Sequence, residues 1–174
     1  MGPRVPIHSG RLADLRQSSP GPFPVRVLIP SIAVETPVVP VGVEHHSLAV
    51  EIPNDVSITG WYRFGPTPGR PGSAVIVGHV DARSQGPGAF FRLSVLEPGD
   101  RVAIEMSDGT IRDFSVAARR EYPKTALPRS IFRRTGPPLL ALVTCGGPFD
   151  ERTRHYRDNL VVYAVPIDRS PASA

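Results

Sequence analysis

From Val25 onward the chain reads as short apolar or alternating runs, each cut off by Pro, Gly or a polar cluster. Val25 to Ile29 is a β-rich run halted by Pro30. Thr36 to Val43 is a second; it contains Pro37 and Pro40, which cannot donate to a ladder, so it is expected at a sheet edge or at a bulge. Leu48 to Ile52 predicts a short third strand. Asp55 to Arg63 reads as irregular, with the large apolar surfaces of Trp61 and Tyr62 beside a loop. Gly65 to Gly72, dense in Pro and Gly, is a long turn. Ser73 to Val77 is short, wholly apolar after its first residue and bounded by glycines, as a strand buried on both faces should be. It runs into Gly78-His79-Val80-Asp81.

Gly86 to Leu96 predicts one helical turn carrying Phe90, Phe91 and Leu93. Arg101 to Met106 places Val102, Ile104 and Met106 on one face, and Ile111 to Ala118 returns with Phe114 and Val116 on one face. The turn Ser107-Asp108-Gly109-Thr110 joins them as a β-hairpin. Ser130 to Arg134 predicts another helical turn. Leu139 to Thr144 is a second buried strand, ending at Cys145, and Asn159 to Val165 is the last, closed by Pro166. The pattern is all-β: about eight short strands, no helix of ordinary length and no internal repeat. A closed or nearly closed barrel fits best, because closure removes exposed edges; a sandwich is the alternative. Residues 1–24, rich in Pro, Gly, Ser and Arg, read as an N-terminal arm or linker with a short turn around Leu12 to Leu15 and a portion that resembles vector-derived sequence. Residues 25–168 form the folded domain and 169–174 a tail.

Composition supports this outline. The chain has 174 residues, enough for one domain with a real core, and its 21 Pro and 16 Gly argue against a helical bundle. Net charge is +4, but the arginines are scattered and no basic run or basic-aromatic stripe forms, which argues against nucleic-acid binding. One cysteine excludes an internal disulfide and a multi-cysteine metal site. No apolar run approaches the ~20 residues needed to cross a bilayer. Met1 to Gly10 has no apolar core segment of the kind a secretory leader carries.

Two reactive side chains sit where buried apolar strands end: His79 after Ala74 to Val77, and Cys145 after Leu139 to Val143. A rigid strand that stops at such a residue, followed by small residues, fixes the group and leaves room for a substrate. A thiol becomes a useful nucleophile when an imidazole and a cation assist it. Each residue also has a plain reading: Cys145 as a buried small hydrophobe, His79 as a satisfied loop histidine, Arg157 as a solvated charge. Asp81, two after His79, either shares its face and bonds it or starts a turn. His45-His46 invites a metal reading, but neighbours on a strand point to opposite faces. His8 and His155 have no context that raises them.

Together these segments resemble the sortase family of cysteine transpeptidases. Leu142-Val143-Thr144-Cys145 matches most of its Thr-Leu-x-Thr-Cys signature, with Ala141 where the first Thr usually stands. Gly78-His79 at a strand end matches its histidine motif, and the 66-residue separation of His79 from Cys145 is that of sortase domains. Arg157-Asp158-Asn159-Leu160-Val161-Val162 is similar to the family's arginine immediately before the last strand; Arg152 and Arg154 compete for that role. Gly-His-Val-Asp, Val-Thr-Cys-Gly-Gly-Pro-Phe-Asp and His-Tyr-Arg-Asp-Asn are most similar to the actinobacterial class F sortases, with class E the near alternative. The resemblance covers about Phe23 to Pro166.

The resemblance implies an eight-stranded β-barrel with short helical turns, catalysis by Cys145, His79 and Arg157, and no metal or other cofactor. It implies as substrate a C-terminal sorting peptide related to Leu-Pro-x-Thr-Gly, and as acceptor an amine of a peptidoglycan precursor or a pilin. Thr144 and Asp81 are candidates for substrate contact. A monomer on the outer face of the cell membrane, held by an N-terminal membrane segment in the native protein, is expected. Two other readings stay open: a module that binds the sorting peptide without cleaving it, and a simple cysteine hydrolase. An L,D-type cell-wall transpeptidase would carry a Ser-His-Gly-Cys motif, which is absent.

Overall fold

The computed structural model describes residues 21–45 and 49–167. Eight strands close a barrel in the order β1-β2-β3-β4-β9-β10-β8-β7: β1 (Pro24–Ile29), β2 (Val34–Val41), β3 (Thr59–Tyr62), β4 (Ser73–Val77), β7 (Arg101–Met106), β8 (Ile111–Pro123), β9 (Leu139–Asp150) and β10 (His155–Pro166). A separate two-stranded hairpin, β5 (Asp81–Ala82) with β6 (Gly86–Pro87), begins two residues after His79. Single 3-10 turns at Pro30–Ile32, Leu93–Val95, Lys124–Ala126 and Arg129–Phe132 are the helical structure among the described residues. The barrel, rather than the sandwich, is the architecture.

All eight strands send side chains into one interior. Val27, Val38, Trp61, Ile76, Ile104, Phe114, Leu142 and Val162 meet there, with Phe90, Leu93 and Leu96 packed among them. A second apolar layer lies outside the barrel over β4, β9 and β10. Val75, Val77, Ala141, Val143 and Val161 form it, and Ile131 of the last 3-10 turn covers it. Strands buried on both faces explain why Ser73–Val77 and Leu139–Thr144 read as continuous apolar runs rather than alternating ones.

The two prolines of β2 find a different solution from the edge or bulge expected of them. Residues Val34 to Pro37 pair with β1, and Val38 to Val41 pair with β3 on the other side. No position is paired on both sides, so the missing N–H groups of Pro37 and Pro40 break no ladder. The expected strand at Leu48 to Ile52 reduces to one bridge, Val43 with Val50, and Leu48 lies outside the described residues. Conversely, the stretch read as irregular holds β3, whose first three residues are all buried and so give no alternation to read. β8, β9 and β10 also run further than expected, because their polar ends pair with each other beyond the core.

Candidate active site

Strands β4 and β9 are parallel, in the register Ser73 with Leu139 through Val77 with Val143, an offset of 66 residues. The backbone N–H of Gly78 donates to the Val143 carbonyl at 3.0 Å, so the pairing continues past the strand end. Extended two residues further, the register sets His79 beside Cys145. Neighbouring strands lie about 4.8 Å apart, close enough for the two side chains to act on one substrate. The alternation that places Val77 and Val143 in the outer layer carries His79 and Cys145 onto that same outer face. The site therefore opens where the outer apolar layer stops.

Gly78 permits this approach. The Phe90 ring lies against its Cα, and a Cβ there would come within 2.7 Å of the ring. Thr144, between the two strand ends, is 3% exposed, and its hydroxyl donates to the Gly78 carbonyl at 2.8 Å. That proton is committed inside the protein, and Thr144 does not line the cavity. Thr144 thus braces the strands that carry His79 and Cys145.

The His79 ring is fixed on its other side. Its Nε2 lies 2.8 Å from the Pro53 carbonyl oxygen. A carbonyl only accepts, so Nε2 carries the proton and Nδ1 is the free nitrogen of the neutral ring. Asp81 does not pair with the ring. It begins β5 and accepts a hydrogen bond from the Tyr156 hydroxyl at 2.7 Å. That bond, together with burial and the nearby charges of Asp81 and Cys145, pushes the Tyr156 phenol above its ordinary range.

His79, Asp81 and Cys145 share a cavity of about 1020 Å³, walled by apolar side chains that include Ile52, Phe91 and Phe149. Cys145 is free and half-buried. Tyr156 and Arg154 line the same cavity. Sequence reasoning did not single out Tyr156, although it lies within the quoted His-Tyr-Arg-Asp-Asn segment.

The arginines fall differently from expectation. β10 begins at His155, so Arg157 lies within the strand and not before it. Asn159 pairs directly with Cys145, and alternation puts Arg157 on the same face two residues away. Its side chain is 67% exposed and its guanidinium meets Asp150 at 3.4 Å. Arg154 reaches the cavity from a left-handed backbone position, φ 56°, at the end of the β9–β10 turn. Asp150 organises that turn. Its carboxylate accepts the N–H groups of Thr153 and Arg152, which, with Arg157, hold its carboxyl below the ordinary range.

Among the described residues no cluster of three or more His, Cys, Asp or Glu is placed to hold a metal ion, and no helix is long and apolar enough to cross a membrane. His46 and His8 lie outside the described residues.

A family model described as the Sortase domain matches residues 27–167. No curated protein sequence matches the chain. Among solved structures, sortase C-1 of Actinomyces oris is 21% identical, with a TM-score of 0.65, over 82% of this chain and 73% of that one. Sortase C1 of Streptococcus agalactiae is 20% identical, TM-score 0.63, over 84% and 68%. Sortase C of Streptococcus pneumoniae is 17% identical, TM-score 0.63, over 85% and 68%. At these identities the likeness carries the barrel fold.

Proposed function

The chain belongs to the sortase family of cysteine transpeptidases, and from that premise we propose that Cys145 and His79 are its nucleophile and its proton carrier. The observation that carries this reading is the parallel register of β4 and β9, which sets the two residues side by side in one cavity. The Cys145 thiol passes its proton to His79 Nδ1, and the resulting thiolate attacks the Thr carbonyl carbon of a Leu-Pro-x-Thr-Gly-like peptide, giving a tetrahedral oxyanion. As the C–N bond breaks, His79 passes its proton to the departing Gly nitrogen, and a thioester remains on Cys145. An incoming amine attacks the thioester and gives its proton to His79, and the C–S bond breaks to release the thiolate. With Nε2–H held by the Pro53 carbonyl, Nδ1 is the nitrogen that carries this proton.

Arg157 is the proposed donor to the oxyanion. It shares a face with Asn159, the direct partner of Cys145. Its contact with Asp150 is long and its own side chain is largely exposed, so the guanidinium is free to turn onto a substrate. A second reading assigns the same role to Arg154, favoured by its place in the cavity wall.

The finer classification rests on sequence. Val143-Thr144-Cys145-Gly146-Gly147-Pro148-Phe149-Asp150 and His155-Tyr156-Arg157-Asp158-Asn159 support class F, with class E next; the class C likeness of the solved structures is one of fold. The same reading puts the domain on the outer face of the cell membrane, acting on surface proteins, with a peptidoglycan-precursor or pilin amine as acceptor. Product analysis tests it. A panel of sorting peptides is incubated with and without an added amine. Amide product that appears only with the amine supports transfer; free acid alone under both conditions makes the protein a hydrolase.

A further inference from the structure

The carbonyl that fixes the His79 ring belongs to an exposed loop, so something must hold that loop in place. Residues 53–56 lie outside the barrel ladders, and a free loop would let the Pro53 oxygen drift from Nε2. The β5–β6 hairpin leaves β4 through His79 and turns at residues 83–85, with the Gln85 N–H donating to the Ala82 carbonyl at 3.1 Å. From that turn the Gln85 side chain reaches back to the loop and makes two bonds with it. Its Nε2 donates to the Asn54 carbonyl at 3.0 Å, and its Oε1 accepts the Val56 N–H at 3.1 Å. A primary amide suits the task, because it presents a donor and an acceptor side by side, matching a carbonyl and an N–H two residues apart.

The hairpin that carries Gln85 is itself anchored. Gly88 N–H donates to the Val80 carbonyl at 2.9 Å, Phe90 N–H to the His79 carbonyl at 3.0 Å, and Tyr156 ties Asp81 to β10. The loop is secured at its far end by the Ala89 N–H on the Val56 carbonyl at 2.7 Å and by the Thr36 hydroxyl on the Ser57 carbonyl at 2.6 Å. A closed circuit results: His79, β5, Gln85, Asn54, Pro53 and back to the His79 ring.

We infer that Gln85 is a positioning residue for the reaction, clamping residues 54–56 so that the Pro53 carbonyl holds His79 with Nε2 protonated and Nδ1 turned to the chemistry. The inference rests on His79 being the proton carrier for Cys145. In this role a backbone carbonyl and a side-chain amide replace the carboxylate that orients a histidine in many triads.

The test uses the full chain with Gln85→Ala, Gln85→Met, which keeps the bulk but neither bond, and His79→Ala. Two quantities are measured: the rate of thioester formation on Cys145 with a peptide of the panel that acylates it, and the His79 tautomer from long-range proton–nitrogen NMR. Both Gln85 variants are expected to stay folded with a small drop in unfolding midpoint, since the side chain is exposed but its Oε1 accepts the Val56 N–H. Acylation should slow by about 10- to 10²-fold with KM little changed, as misplacement of a catalytic group does. The ring signal should pass from one Nε2–H form to a mixture. Wild-type acylation in both Gln85 variants, or slowed acylation with an unchanged tautomer, overturns the inference while leaving the His79 assignment standing. Wild-type acylation in His79→Ala removes the assignment itself and the inference with it.

Discussion

Thr144, adjacent to Cys145, is tied into the fold by its hydroxyl. Its hydroxyl satisfies the buried Gly78 carbonyl, and Thr144→Val would leave that carbonyl without its partner. The expected cost is about 1–3 kcal/mol in urea unfolding, with most of it recovered in Thr144→Ser. Lost turnover at undiminished stability in Thr144→Val would return the hydroxyl to the substrate. The arginine choice is also a residue-scale question. Arg157→Ala should lower the acylation rate by ~10²–10³, the usual loss for one oxyanion donor, and Arg154→Ala by far less. The reverse order would transfer the role to Arg154. A third residue-scale effect concerns Tyr156, whose phenol is raised above 10.0 chiefly by its bond to Asp81. A raised phenol stabilises the fold fully below its ordinary value, and that contribution fades as pH climbs through the raised one. Asp81→Asn removes the charge, so tyrosinate absorbance, read as a difference against Tyr156→Phe, should develop at lower pH than in the wild type. Cys145 and His79 were legible in the sequence because each ends an apolar run. Gln85 and Pro53 were not, since one acts through an amide in a polar turn and the other through its backbone.

At the scale of elements, the β9–β10 hairpin carries more of the site than its sequence suggested. Gly146 pairs with Asp158 and Phe149 with Tyr156, so Gly147 and Pro148 together face Arg157 in a bulge on β9. Gly147 has φ 70°, and a Cβ there would run into the Asp158 carboxylate. Gly147→Ala should cost at least the ~1–2 kcal/mol of a left-handed backbone, and should reduce acylation further by moving Tyr156 and Arg157 relative to Cys145. Unchanged unfolding and acylation would show that the bulge is not needed. In the sequence, Gly-Gly-Pro read as the end of the strand; pairing with β10 carries β9 through it. β3 escaped notice for a related reason, since a four-residue segment with buried neighbours on successive positions shows no period. The hairpin β7–β8 was read correctly because Asp108 and Gly109 mark its turn, where Asp108 accepts the Thr110 N–H and hydroxyl.

Across the whole molecule, closure of the barrel separates stability from chemistry. The interior is filled by side chains from all eight strands, while Cys145 and His79 lie on the outer face past the last residues of the second apolar layer. Residue alternation and turn chemistry made the all-β architecture readable, but the order of strands was not. The parallel neighbours β2–β3 and β4–β9 come from long-range packing that no local pattern records. Removal of the thiol should therefore leave the fold intact while ending its chemistry. The most direct measurement is intact mass spectrometry of the wild type, Cys145→Ala and His79→Ala after brief exposure to the sorting-peptide panel. The account predicts a single acyl adduct on wild-type Cys145, none on Cys145→Ala of unchanged unfolding midpoint, and strongly slowed formation on His79→Ala. Peptide cleavage by a well-folded Cys145→Ala protein, or full-rate acylation without His79, would contradict it.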